Sequence, residues 1–281
     1  MAEISAKDIA ALRKQTGAGV LDCRTALQET GGDIEAAKDW LRTKGLAGAA
    51  KRAGREAQDG AVEVTVEGNV GAIVELNCET DFVAKGAEFR AMVAALAKIV
   101  AEQGDDDLDS RPYEGGTVGD AVKQLGATLG ENVGIGRVAR IDSADGIVDG
   151  YKHVQNERGT IGVLVELGGV DPSDARGQEV AHDVALHIAS AAPQYVTRDD
   201  VPADVLEKER AVLEELTRNE GKPEQALPKI VDGRLNGFYK NTVLLEQPFV
   251  RDPKTTVGKL VGELGKDATI RRFVRIQVGA E

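Results

Sequence analysis

No apolar run in this 281-residue chain comes near the roughly 18 residues that a membrane-spanning helix requires, so helical membrane classes are excluded. The opening residues MAEISAKD lack a basic segment followed by an apolar stretch, and no signal peptide is expected. Cysteine is almost absent. Cys23 and Cys78 both fall inside predicted packed elements, which suits a reducing, cytoplasmic setting better than a disulfide scaffold. No G-x-x-x-x-G-K-[ST] run occurs, which excludes a P-loop. Gly134-Ile135-Gly136-Arg137-Val138-Ala139 fits G-x-G-x-x-A but lies inside a strand pattern, where it cannot cradle a dinucleotide. Of three histidines, His182 and His187 are five apart, about 140° around a helix, and make a poor metal pair. Asp183 and His187 are four apart and share a helix face, a spacing that suits an ion pair. No Ser/His/Asp or Cys/His arrangement has supporting context. The chain is expected to be a binding protein, not an enzyme, with neither metal nor cofactor.

The net charge of −12 argues against a general nucleic-acid binder. Its distribution is uneven: residues 1–55 carry +3, leaving −15 for the remainder. Such a head suits either an acidic protein surface or plain solvation.

Residues 1–45 predict three short helices. Ser5 with Asp8 forms a capping box, and Ile4 with Ile9 a hydrophobic staple. A second helix spans about Val20 to Glu29. A third, capped by Asp33 and carrying Ile34, Ala37, Trp40 and Leu41, is expected to stop at Gly45. So small a unit suits recognition better than catalysis. Residues 46–60 are expected to be a helical or flexible linker, with a basic cluster at Lys51, Arg52 and Arg55.

The hydrophobic period then changes from helical to alternating. Ala61–Val66 and Val70–Leu76 predict two strands around a Gly68-Asn69 turn. A long helix follows, with Phe89, Met92, Val93, Leu96, Ile99 and Val100 on one face. Thr117 and Asp120 cap another helix through Leu129, and Val133–Ile141 predict a strand. The plan recurs from residue 143. Gly146–Val154 and Thr160–Leu167 are strands, and IGVLVEL there echoes VGAIVEL. Thr256-Val257-Gly258 and Phe273-Val274-Arg275-Ile276 echo Thr117-Val118-Gly119 and Val138-Ala139-Arg140-Ile141. The expected fold is therefore α+β, with a β-β-α-α-β core used twice, over 61–142 and 143–281. The second copy is longer by 49 residues, at about 199–247, where two narrow apolar stripes predict an antiparallel helical hairpin.

One connection stands out. Asn77-Cys78-Glu79-Thr80-Asp81-Phe82-Val83 joins a strand to the long helix and carries an acidic residue beside an aromatic one. Thr80 or Asp81 could cap the helix and Phe82 staple it. The second copy, at Gly168-Gly169-Val170-Asp171-Pro172, has no Asp-Phe, so the fold itself does not require one.

These residues resemble the bacterial elongation factor Ts family, the nucleotide exchange factors for elongation factor Tu. The likeness rests on Leu12–Gly19 and Leu21–Leu27 in the head and on the Thr80–Val83 loop in its Asn-Cys-x-Thr-Asp-Phe-Val context. It covers essentially the whole chain. The resemblance implies a UBA-like head and elongation factor Tu, GDP-bound or nucleotide-free, as partner, with no direct nucleic acid or membrane contact. Phe82 would be a wedge entering the partner's nucleotide domain and disturbing its Mg²⁺ site. Asp81 would be its polar companion, and Thr80 and Val83 would shape the loop. Val20, Asp22 and Arg24 would grip the same domain. Leu129, Gly130 and His153 match further contact positions. The hairpin's role stays open between partner contact and dimerisation, and two complexes could pair through it or through the core. The sequence departs from longer members by ending at Gly279-Ala280-Glu281, without their C-terminal helical module.

Overall fold

A computed structural model describes residues 4–52 and 54–280. Helix α1 (Ala6–Thr16) starts at a capping box: Ser5 Oγ accepts from the Asp8 N–H at 3.1 Å and the Ser5 N–H donates to Asp8 Oδ2 at 3.2 Å. Helices α2 (Val20–Glu29) and α3 (Ile34–Arg52) complete the head around Leu12, Cys23, Ala26, Leu27 and Ala37, with Ile4 and Ile9 against the same cluster. The third helix does not stop at Gly45; it continues to Arg52. A glycine inside a helix costs only about 1 kcal/mol, and here it is an asset. A Cβ at Gly45 would lie 3.0 Å from the Ala127 Cβ, so the missing side chain lets α3 pack closely on a later helix. Arg52 Nη2 reaches the Gly126 carbonyl of that helix at 3.4 Å.

The rest is mixed helix and sheet, an α+β fold. Strands β1 (Asp59–Glu67) and β2 (Val70–Cys78) form a hairpin, followed by a one-turn helix α4 (Asp81–Ala84) and by α5 (Ala87–Gln103). A short hairpin, β3 (Pro112–Tyr113) and β4 (Gly116–Thr117), leads into α6 (Val118–Leu129), which Thr117 caps, and then β5 (Gly134–Asp142). The second half runs β6 (Ile147–Gln155), β7 (Arg158–Gly168), α7 (Ala175–Ala191), α8 (Ala203–Asn219) and α9 (Leu227–Thr242). Another short hairpin, β8 (Pro248–Phe249) and β9 (Asp252–Thr256), precedes α10 (Val257–Gly262) and β10 (Thr269–Gln277). The sheets have orders β1-β2-β5 and β6-β7-β10, antiparallel throughout, each with its second strand central.

Helices cover one face of each sheet and the sheets pack on each other with the other. That is why β2 and β7 are apolar on both sides. Ala72, Val74 and Leu76 meet Phe89, Val93, Leu96 and Val100 of α5, whereas Ile73 joins Val62, Ile141, Val148, Leu164 and Ile276 between the sheets. Gly162 is needed there, since a Cβ would sit 2.4 Å from Val62 Cγ1. Two carboxylates are buried at equivalent places of the echoed VEL motifs. Glu75 receives an Arg137 fork at 2.9 and 3.0 Å; Glu166 receives Ser143 Oγ at 2.7 Å, Arg272 Nε at 2.7 Å and Arg271 Nη1 at 3.1 Å. Burial works against ionisation of Glu166, but these donors outweigh it and hold its pKa below the usual range.

Helices α8 and α9 pack together, Val231 and Leu235 of α9 being buried, with Arg210–Asp232 (3.0 Å) and Arg234–Glu220 (2.6 Å) ion pairs between them. Below them His187 is fully buried. The expected Asp183–His187 pairing is replaced: Asp183 bonds Arg251, and the His187 Nδ1 accepts from the Val250 N–H at 3.3 Å. Its Nε2 must therefore carry the proton that Gln247 Oε1 accepts at 2.8 Å. Burial lowers the His187 pKa. The unfolded chain, with a histidine pKa of about 6.5, takes up the proton first. His187 thus contributes stability fully above about pH 6.5, and that contribution is lost as pH falls toward the lowered folded value. Melting temperature should drop between pH 7.5 and 5, less steeply in His187→Gln than in the wild type; equal slopes would refute this role.

Among the described residues no helix is long and apolar enough to cross a membrane, and no group of three His, Cys, Asp or Glu side chains is placed to hold a metal ion.

Candidate functional site

The connection after β2 is built from the inside outward. Strand β2 ends at Cys78, fully buried, whose Sγ donates to the Thr80 carbonyl at 3.2 Å. Burial, with the nearby Glu131 and Asp59 carboxylates, pushes the thiol pKa up to about 12, so it remains a donor at neutral pH. Thr80 is extended (φ −133°, ψ 153°) and caps α4, its hydroxyl accepting from the Val83 N–H at 3.5 Å. Thr80, not Asp81, is the cap.

Side chains then part in two directions. Val83 packs on the first sheet's core and Ala84 is fully buried. Asp81 turns outward to bond Lys85 one turn on, which holds its carboxyl below the ordinary range. Phe82 is 83% exposed, the most exposed large apolar side chain among the described residues. The Lys85 ammonium lies 5.8 Å from its ring centroid. Leaving a phenylalanine in water forgoes about 1.5–3 kcal/mol of burial. The aromatic that does anchor this region is Phe89, fully buried in α5. The helix breaks between the two rings: Gly86, at φ −61° and ψ 141°, is the N-cap of α5 and supplies no side-chain cap.

A second segment clamps the turn. The end of α6 is marked by Gly130 in a left-handed cap (φ +77°), so the chain reverses after the half-buried Leu129. This sends Glu131 back to the turn. Its Oε2 accepts from the N–H groups of Glu79 and Thr80, each at 3.0 Å, and its Oε1 from the Thr80 hydroxyl at 2.5 Å. In return Glu79 Oε1 accepts from the Asn132 N–H at 2.6 Å, and Asn132 Nδ2 donates to the Arg55 carbonyl at 2.8 Å. The Asn132 bond is the chief reason the Glu79 carboxyl lies below its usual range. Thr80–Val83 and Leu129–Gly130 are thereby one local assembly. The sequence order, with Thr80 and Glu131 51 positions apart, gave no sign of this clamp.

The other expected positions lie elsewhere. Val20 (50% exposed) opens α2, Asp22 bonds Lys44 at 3.1 Å, and Arg24 is exposed. Leu21, 76% exposed, was not singled out from sequence. The signal was available, for it sits about 200° around the helix from the buried Cys23. Beside it Ile9, Ala10 and Val20 line an open groove rimmed by Arg13 and Lys14. His153 is exposed near the end of β6, 3.2 Å from the Tyr151 hydroxyl. Its hairpin reaches the turn's side of the molecule, where Arg158 bonds Asp59 and the Gly60 carbonyl and Arg90 of α5 bonds the Glu157 carbonyl at 3.1 Å.

The family described as Elongation factor TS matches residues 79–280, beginning within this turn. Among curated relatives, "Elongation factor Ts" of Micrococcus luteus is 48% identical over 284 residues, covering 99% of this chain and 100% of the relative. That of Thermobifida fusca is 46% identical, covering 99% of each. The Rhodospirillum rubrum protein of the same name is 45% identical, covering 99% of this chain and 94% of its own length.

Proposed function

The chain belongs to the elongation factor Ts family, and on that premise we propose that it binds elongation factor Tu and promotes release of GDP. What carries the reading is Phe82: a large aromatic held in water at the tip of a capped, buttressed turn, where the fold makes no use of it. Such a side chain gains by entering an apolar crevice on another protein. The turn inserts Phe82 into the nucleotide domain of elongation factor Tu, with Asp81 beside it, and the displaced structure loosens the Mg²⁺ and phosphate contacts that retain GDP. No catalytic residue is required. A factor that binds the nucleotide-free partner best weakens nucleotide affinity by the same coupling, because linkage is reciprocal. The head, through Val20, Asp22 and Arg24, and the core, through Leu129, Gly130 and His153, supply further contact. GTP then occupies the emptied site.

The test is release of fluorescently labelled GDP from purified elongation factor Tu. Adding this protein at equal concentration should accelerate release by about a hundredfold, near the upper end of ordinary coupling energies. Unchanged release would end the reading.

A further inference from the structure

The turn that carries Phe82 is short, and its own packing is limited to Val83 and Ala84. The two peptide groups just before it, at Glu79 and Thr80, lie past the end of the β-ladder that Cys78 closes with Asp59. Their N–H groups need other acceptors, and the single carboxylate of Glu131 serves both as well as the Thr80 hydroxyl. Thr80 is also the cap of α4, so Glu131 fixes the rotamer of the residue that starts the Phe82 turn.

We propose that Glu131 is a positioning residue that holds the Thr80–Val83 turn in its presenting conformation before any partner arrives. The consequence for exchange rests on the reading of that turn as the partner-binding element. The clasp is reciprocal, since Glu79 accepts from Asn132 while Glu131 accepts from Glu79 and Thr80. It extends through Asn132 to the Arg55 carbonyl, just beyond the end of α3, so turn, α6 and the head's last helix share one frame. The bonds of both glutamates go to the backbone and Thr80, Asn132 and Arg55, not to Phe82. Their effect is to remove, in advance, the ordering that binding would otherwise demand.

Removing the clasp frees roughly one residue's worth of backbone, and re-ordering it on binding corresponds to about a tenfold loss of affinity. Glu131→Ala should therefore raise the concentration giving half-maximal GDP release about tenfold. The rate at saturation should stay within about twofold, because Phe82 is still present to act. Glu131→Gln, whose amide oxygen can still accept from both N–H groups, should recover most of the wild-type value. In the free protein, amide hydrogen exchange of Glu79 and Thr80 should quicken in Glu131→Ala while that of Val74 and Leu76 stays unchanged. A merely structural Glu131 would lower the melting temperature and leave half-saturation within twofold at a temperature where the variant is folded; that result, or unchanged exchange at Glu79 and Thr80, overturns the proposal. If Glu131→Ala melts below the assay temperature, Glu131→Asp, one methylene too short to reach Thr80, replaces it with the same expected directions. Wild-type protein that leaves GDP release unchanged overturns the parent reading alone, because the amide exchange reads the clasp without a partner.

Discussion

Phe82→Ala is expected to lower the acceleration of GDP release from elongation factor Tu by about 30- to 100-fold, the range of a central interface residue worth about 2–3 kcal/mol. Its melting temperature should stay within about 1–2 °C of the wild type, as for other surface substitutions. The ring is 83% exposed and its nearest polar companion is Lys85, so alanine leaves no cavity and orphans no buried group. Stopped-flow release at saturating factor reads the first quantity and a thermal melt the second. A large fall in melting temperature, with release declining only as the unfolded fraction grows, would make Phe82 part of the core after all.

Seven residues on, Phe89→Ala should do the opposite. Phe89 is fully buried among Val74, Leu76, Val93 and Leu96, and truncating such a side chain costs about 3–5 kcal/mol through lost transfer energy and the cavity left behind. At about 2–4 °C per kcal/mol the melting temperature should fall by roughly 6–20 °C. At a low temperature where the variant is folded, GDP release per folded molecule should remain within severalfold of the wild type. A melting temperature within about 2 °C of the wild type would show that α5 does not depend on this ring.

The contrast between these rings marks how far sequence reaches. In one continuous helix, residues seven apart lie within about 20° of the same face, and both would be core. The break at Gly86 resets the phase, and the apolar repeat that opens after it, at Phe89, already marked that restart in the sequence. Much else is local and was legible. The Ser5–Asp8 and Thr117–Asp120 capping boxes and the β1–β2 hairpin around Gly68 are set by neighbours in the chain. What escaped depends on distant residues. Gly45 signals a stop until Ala127 is found against it. Asp183 and His187 share a helix face, but Arg251, Gln247 and Val250 supply their partners. Glu131 meets Thr80 across 51 residues. The buried Glu75 and Glu166 lie between these cases. Both acids sat in the echoed VEL motifs, and Arg137 and Arg272 stood at matching places before β5 and β10 closed on them. The hint was an acid repeated inside an apolar run.

The unbroken third helix has a consequence for the lifetime of a complex. At 19 residues it is about 28 Å of regular helix, fixed to α6 along its second half. A partner that touches both the head and the Phe82 turn meets two patches on a stiff arm, not two beads on a string. When one patch lets go, the other keeps it at high effective concentration and rebinding is intramolecular. Dissociation then waits for both patches to be free at once, so stiffness in α3 would lengthen residence without adding a single contact.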